Sequence, residues 1–180
     1  MILTIDIGNM TTLIGGFEGE QLHFTGRCAS NLSRTEDEYV LLLRDILGMY
    51  GVDAKQVEGS ILSSVVPALR TVVCRALERL TGQRVFVVGP GLKNGLNIRI
   101  DDPGELGSDM VVNAVAALAK YPKPIAIFDF ETATTLSVIG KDVYKRQAQA
   151  LKGGITGKLR SIAASVVGQN LGQLSINIHN

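Results

Sequence analysis

One pattern occurs twice in this chain of 180 residues and limits the folds open to it. An apolar, β-branched run ends on an aspartate, a short turn follows, and a threonine-rich run returns. The first copy is Ile2-Leu3-Thr4-Ile5-Asp6, the turn through Gly8-Asn9, and residues 11–17. The second is Ile125-Ala126-Ile127-Phe128-Asp129 followed by residues 132–139, which open Thr132-Ala133-Thr134-Thr135. Each copy reads as a buried strand, a tight turn and a second strand. A carboxylate at the end of a buried strand, beside small residues with free amides, is what a phosphate-and-metal site needs. Amides and threonine hydroxyls can approach phosphate oxygens, and Asp6 can hold a hydrated Mg²⁺ that offsets phosphate charge. A single Asp-x-Gly-Asn also makes an ordinary hairpin turn. Two such hairpins facing each other can clasp one nucleotide's phosphates from both sides.

A dinucleotide-binding sheet would carry Gly-x-Gly-x-x-Gly after its first strand, and a P-loop enzyme Gly-x-x-x-x-Gly-Lys-Ser/Thr; neither occurs. The duplication therefore points to a two-lobed phosphotransferase. A content of 46% hydrophobic residues suffices for one sizeable core or two small lobes sharing a cleft. Net charge is +1, with 18 basic and 17 acidic residues and no long blocks, which argues against a nucleic-acid surface or a membrane-binding patch. No apolar run is long enough to span a bilayer and Met1 leads straight into the first strand, so a cytoplasmic location is expected. Cys28 and Cys74 read as reduced, being too few and too separated for a disulfide framework or a metal cluster, with Cys74 on the inner face of a helix. Neither suits a nucleophile, because His23 and His179 fall in a strand and in the terminal tail.

Along the chain, residues 21–27 form a third strand after Gly19-Glu20, completing a meander. Thr35-Glu36-Asp37-Glu38 caps a helix with Tyr39, Leu42, Leu43, Ile46 and Leu47 at helical spacing, closed by residues 48–51. Residues 59–66 form a strand, Pro67 opens a helix through Leu80, and residues 84–88 form another strand. The order β-β-β-α-β-α-β gives one α/β lobe with a mixed sheet over residues 1–90. Gly89-Pro90-Gly91 marks the boundary to a second lobe over residues 91–180. There residues 96–100 are extended, residues 111–120 are helical and alanine-rich, and Pro122 and Pro124 stop that helix. The alanines suit packing on a sheet or on a partner helix.

Asp6-Ile7-Gly8-Asn9, Ser63-Ser64-Val65-Val66-Pro67, Val88-Gly89-Pro90-Gly91-Leu92-Lys93, Gly107-Ser108-Asp109 and Asp129-Phe130-x-Thr132-Ala133-Thr134-Thr135 resemble, in order, the signatures of type III pantothenate kinases. The resemblance covers residues 1 to about 140 and fades from Val143, where only residues 153–161 faintly echo a later segment and residues 171–175 hold no equivalent of a family threonine. It implies an α/β, two-lobed ribonuclease H-like fold of the actin-like ATPase kind, with the second lobe truncated. It also implies ATP-dependent phosphorylation of pantothenate by a cytoplasmic homodimer using Mg²⁺ and a monovalent cation such as K⁺ or NH₄⁺. On that resemblance Asp6, Ile7, Gly8, Asn9, Met10, Thr11, Thr12 and Leu13 line the ATP phosphates together with Thr132. Gly107, Ser108, Asp109 and Met110 contact pantothenate, Asp109 is the base for its primary hydroxyl, and Asp129 binds the monovalent cation. From the residues alone, Asp109 also suits a helix cap. The chain departs from the pattern at Met10, where a threonine is usual, at Met110, most often arginine, and at Glu131, which replaces glycine and brings negative charge toward the nucleotide.

Two other classes fit the same residues: a non-catalytic nucleotide-binding or regulatory homologue of the Bvg accessory factor kind, favoured by those three departures, and an inert fragment. Nucleotide binding by calorimetry, and thermal unfolding with and without ATP, separate them.

Overall fold

The computed structural model describes residues 1–89, 107–130, 134–140 and 144–147. Three strands come first, β1 (Ile2–Ile7), β2 (Thr11–Glu18) and β3 (Gln21–Ala29). They are followed by α1 (Glu36–Met49), β4 (Gly59–Ser64), α2 (Pro67–Thr81) and β5 (Val85–Val87). Then come α3 (Ser108–Lys120), β6 (Ile125–Phe130), β7 (Thr134–Ile139) and β8 (Tyr144–Gln147). A short 3-10 turn at Ala54–Gln56 precedes β4 and was not foreseen, although Asp53 and Gln56 form a capping box around it.

Local chemistry explains most of these boundaries. Gly19 takes φ 57°, a left-handed conformation that closes the β2–β3 hairpin. Thr35 accepts from the Glu38 amide while the Glu38 carboxylate accepts from the Thr35 amide, so both ends of the box at the start of α1 are made. Pro67 stands in the first turn of α2, where a missing N–H costs nothing.

The first sheet has the order β3-β2-β1-β4-β5, with β1–β2 and β2–β3 antiparallel and β1–β4 and β4–β5 parallel, which is the expected mixed sheet. Leu3, Ile5, Ile7, Ile14 and Leu62 from this sheet pack with Tyr39, Leu43 and Leu47 of α1 and Leu69, Val73 and Leu77 of α2. Truncating any one of these large side chains to alanine costs about 2–5 kcal/mol. Alternation along β1 then turns Asp6 to the opposite face, where the register sets it against Leu13 of β2 and Ser63 of β4.

Strands β6, β7 and β8 form a second, antiparallel meander. Strand β8 lies beyond the point where the sequence pattern fades. Its residues, Tyr144-Lys145-Arg146-Gln147, lack the apolar alternation that announces a strand. Helix α3 packs on this sheet through Ala114, which meets Ile139 with Leu118, Ile125 and Ile127 around it. It begins at Ser108, three residues earlier than the residue 111 expected. Strand β5 is also shorter than the expected residues 84–88. Pro90, the extended segment 96–100, Glu131, Thr132 and the segments 153–161 and 171–175 lie outside the described residues.

Candidate functional site

Three aspartates from three elements share one electrostatic neighbourhood. Asp6 and Asp129 each stand one residue from the end of their strands, β1 and β6, and Asp109 is the second residue of α3. Burial raises the Asp6 pKa, a hydrogen bond from Ser63 lowers it, and the Asp109 and Asp129 carboxylates raise it again. Asp129 is likewise raised by burial and then by Asp109, against a bond from the Asn113 amide that lowers it. Asp6 thus feels the charge of both other carboxylates, and Asp129 that of Asp109.

The start of α3 is fixed by the Ser108 hydroxyl. Its Oγ accepts from the Ser64 amide at 3.0 Å and from Ser63 Oγ at 3.1 Å, and donates to the Ser64 carbonyl at 3.0 Å. Ser63 thus stands between the Asp6 carboxylate and α3, its single hydroxyl proton serving one of the two oxygens at a time. One turn beyond Asp109, Asn113 Nδ2 donates to Asp129 Oδ2 at 3.0 Å. Among the described residues Asp109 caps nothing: the cap position is Gly107, no side chain makes the cap bond, and Asp109 Oδ1 is buried without a hydrogen-bond partner. The helix-cap reading of Asp109 is therefore corrected. A buried carboxylate oxygen left open is costly unless a donor or cation comes to it. A Cβ at Gly107 would overlap Asp109 Oδ1, so glycine there leaves the carboxylate in its present rotamer.

In the first hairpin the turn closes with the Gly8 amide donating to the Thr11 carbonyl at 3.0 Å, and the Ser30 amide donates to the Met10 carbonyl at 3.0 Å. Asn9 and Met10 form the exposed tip, Met10 being 76% accessible. Ile7 is core, and Thr12 is buried with its hydroxyl 2.8 Å from Ser30 Oγ. Thr11 and Leu13 are half-buried on either side of it. Met110, at 4% exposure, is turned into the packing beneath α3. Thr132 lies outside the described residues, so of the expected site it is Asp6, Ser108, Asp109 and Asp129 that the structure brings together. Sequence reasoning missed Asn113, whose only signal was its place four residues after Asp109 on a helix. Ser63 had been quoted as motif without a role.

A five-stranded mixed sheet of this order with two helices packed in its core, and a second antiparallel meander whose first strand ends beside another aspartate, define the ribonuclease H-like, actin-like fold class. A reductive activator for a corrinoid, iron-sulfur protein shares this fold, with a TM-score of 0.51 at 12% identity over 79% of this chain and 29% of that one. The family profile described as type III pantothenate kinase matches residues 2–174, and the chain belongs to that family. This match continues past Val143, where the sequence resemblance fades. The type III pantothenate kinase of Brevibacillus brevis is 42% identical over 77% of this chain and 54% of its own length. That of an Exiguobacterium species is 43% identical over 77% and 55%. The chain thus spans about half the length of the curated relatives it matches. Among the described residues no helix is long and apolar enough to cross a membrane.

Proposed function

We propose that this chain carries the catalytic carboxylates of a kinase that transfers phosphate from ATP to pantothenate, giving 4′-phosphopantothenate in the first step of coenzyme A synthesis. The observation that carries this reading is the gathering of Asp6, Asp109 and Asp129 from two sheets and one helix start. Asp109 is the base. Its buried, unpartnered Oδ1 is an acceptor held ready for the primary hydroxyl, whose proton it takes as the phosphoryl group moves. Most of the rate in such a transfer comes from positioning and charge neutralisation. Main chain around Gly8, Asn9, Met10 and Thr11 faces the phosphates, with Thr132 from the opposing hairpin. The side chains of Ile7 and Thr12 serve the core. Gly107, Ser108 and Met110 border pantothenate through their backbone.

The residues present fit a cation. Asp109 and Asp129 raise the pKa of Asp6, and Asp109 that of Asp129, a repulsion that positive charge relieves. Among the described residues no cluster of three or more His, Cys, Asp or Glu side chains forms a protein cage for a metal. Mg²⁺ ordinarily binds through one or two carboxylates with water and substrate phosphates, and Asp6 would supply that carboxylate. When bound, it offsets phosphate charge. Asp129, with one oxygen held by Asn113, would hold the monovalent cation. The exposed flank of α3, with Val112 and Val115, is the face we assign to a homodimer, and the cytoplasm is the location.

The test is product formation from ATP, Mg²⁺, K⁺ and pantothenate. Asp109→Asn is expected to lower kcat by about 10²–10⁴-fold. Unchanged turnover in that variant removes Asp109 from the role of base.

A further inference from the structure

Helix α3 touches both sheets within its first two turns. Its N-terminal residue, Ser108, makes three hydrogen bonds to Ser63 and Ser64 at the end of β4. Asn113 reaches the carboxylate near the end of β6. Asp109 lies between them, with Asp109 and Asn113 on one helical face, four residues apart. Residues 88–107 and 121–124 connect the helix to the two sheets and Ala114 packs it on the second, while these side-chain bonds across 44–45 and 16 positions of sequence tie its first two turns to the strand ends that carry the acids. A helix is stiff over such a span, so its two fastenings set the separation of whatever they hold.

We propose that Ser108 and Asn113 are positioning residues, bolting α3 to the acid-bearing ends of both sheets so that the spacing of Asp6, Asp109 and Asp129 is set by one rigid helix. Ser108 acts on Asp6 through Ser63, and Asn113 acts on Asp129 directly. Neither takes part in bond making. The catalytic consequence rests on the kinase reading above; the mechanical one does not.

The experiment uses the 180-residue chain and its Ser108→Ala, Ser108→Thr, Asn113→Ala and Ser108→Ala/Asn113→Ala variants, with Leu41→Ala on the exposed side of α1 as a control. Steady-state kinetics in ATP and pantothenate give kcat and KM separately, and hydrogen exchange follows the amides of residues 111–114. Each alanine at 108 or 113 is expected to lower kcat on the order of 10- to 100-fold with KM values within about 3-fold. The hydroxyl of Ser108→Thr restores most of kcat. The double variant loses less than the product of the singles, because either broken fastening frees the helix. Exchange at 111–114 quickens about 10-fold in Ser108→Ala and stays unchanged in Leu41→Ala. Parental kcat in both alanine variants, strictly multiplicative losses, or no recovery with threonine overturns the proposal. A parent chain without turnover sinks the kinase reading instead. Hydrogen exchange then decides the bracket by itself, and unaltered α3 amides in Ser108→Ala refute it.

Discussion

Replacing Asp6 by asparagine is expected to stabilise the ligand-free chain and to weaken its hold on nucleotide. Burial together with the Asp109 and Asp129 carboxylates raises the Asp6 pKa, while the Ser63 hydroxyl lowers it. A carboxyl raised in the folded state binds its proton more tightly there than in the unfolded chain. Its stabilising contribution is complete below the ordinary 3.8 and is lost as pH rises through the raised value, so at neutral pH the charge is a net cost. Asparagine keeps an oxygen for the Ser63 bond and removes that charge. Asp6 is only half-buried, so each of its two repulsions is screened and worth about 0.2–1 kcal/mol. Their relief amounts to about 1 kcal/mol, or about 2–4 °C in Tm for a chain of this size. Thermal unfolding of parent and Asp6→Asn at about pH 7.5 and about pH 3.5 checks the sign, since the gain shrinks toward zero at the acid end. In about 1 M salt the neutral-pH gain falls by half or more. Calorimetry with Mg²⁺ and ATP should show affinity lost. A variant less stable at neutral pH, or one whose gain is the same at both pH values, refutes the reasoning.

Gly107→Ala should force the Asp109 carboxylate from its present rotamer, lowering kcat on the order of 10²-fold while Tm moves little; kinetics beside a melting curve separate the two. Thr12→Val leaves Ser30 Oγ without its partner and should cost about 1 kcal/mol of stability, with ATP affinity unchanged if the Thr12 hydroxyl serves the fold. Gly16→Ala drives a methyl into the Phe24 ring, which stacks on Tyr50 at 4.6 Å, and should destabilise by about 1–3 kcal/mol in urea unfolding.

What could be read in the residues was what local chemistry decides. The Thr35 box, proline in the first turn of α2, the Gly19 turn and both acidic hairpins each depend on fewer than about six neighbours in sequence. What escaped was tertiary or unpatterned. Asn113 has meaning only once α3 lies beside β6, and the Ser63–Ser108 contact joins residues 45 apart. The start of α3 was set too late because Gly107-Ser108-Asp109 read as a loop motif, although Ser and Asp are common in first turns. Met110 stood out as a lost cation, and its burial shows a side chain recruited to packing.

The two acidic hairpins share topology without sharing register. Ile7 pairs with Thr12 across four intervening residues, whereas Phe130 pairs with Thr134 across three. Strand side chains alternate with a period of two, so swapping one turn for the other would invert β7 unless a bulge absorbed the difference, sending Leu136 outward. Exchanging the two turns therefore requires a compensating bulge, whereas a two-residue change in either turn keeps the facing of its return strand.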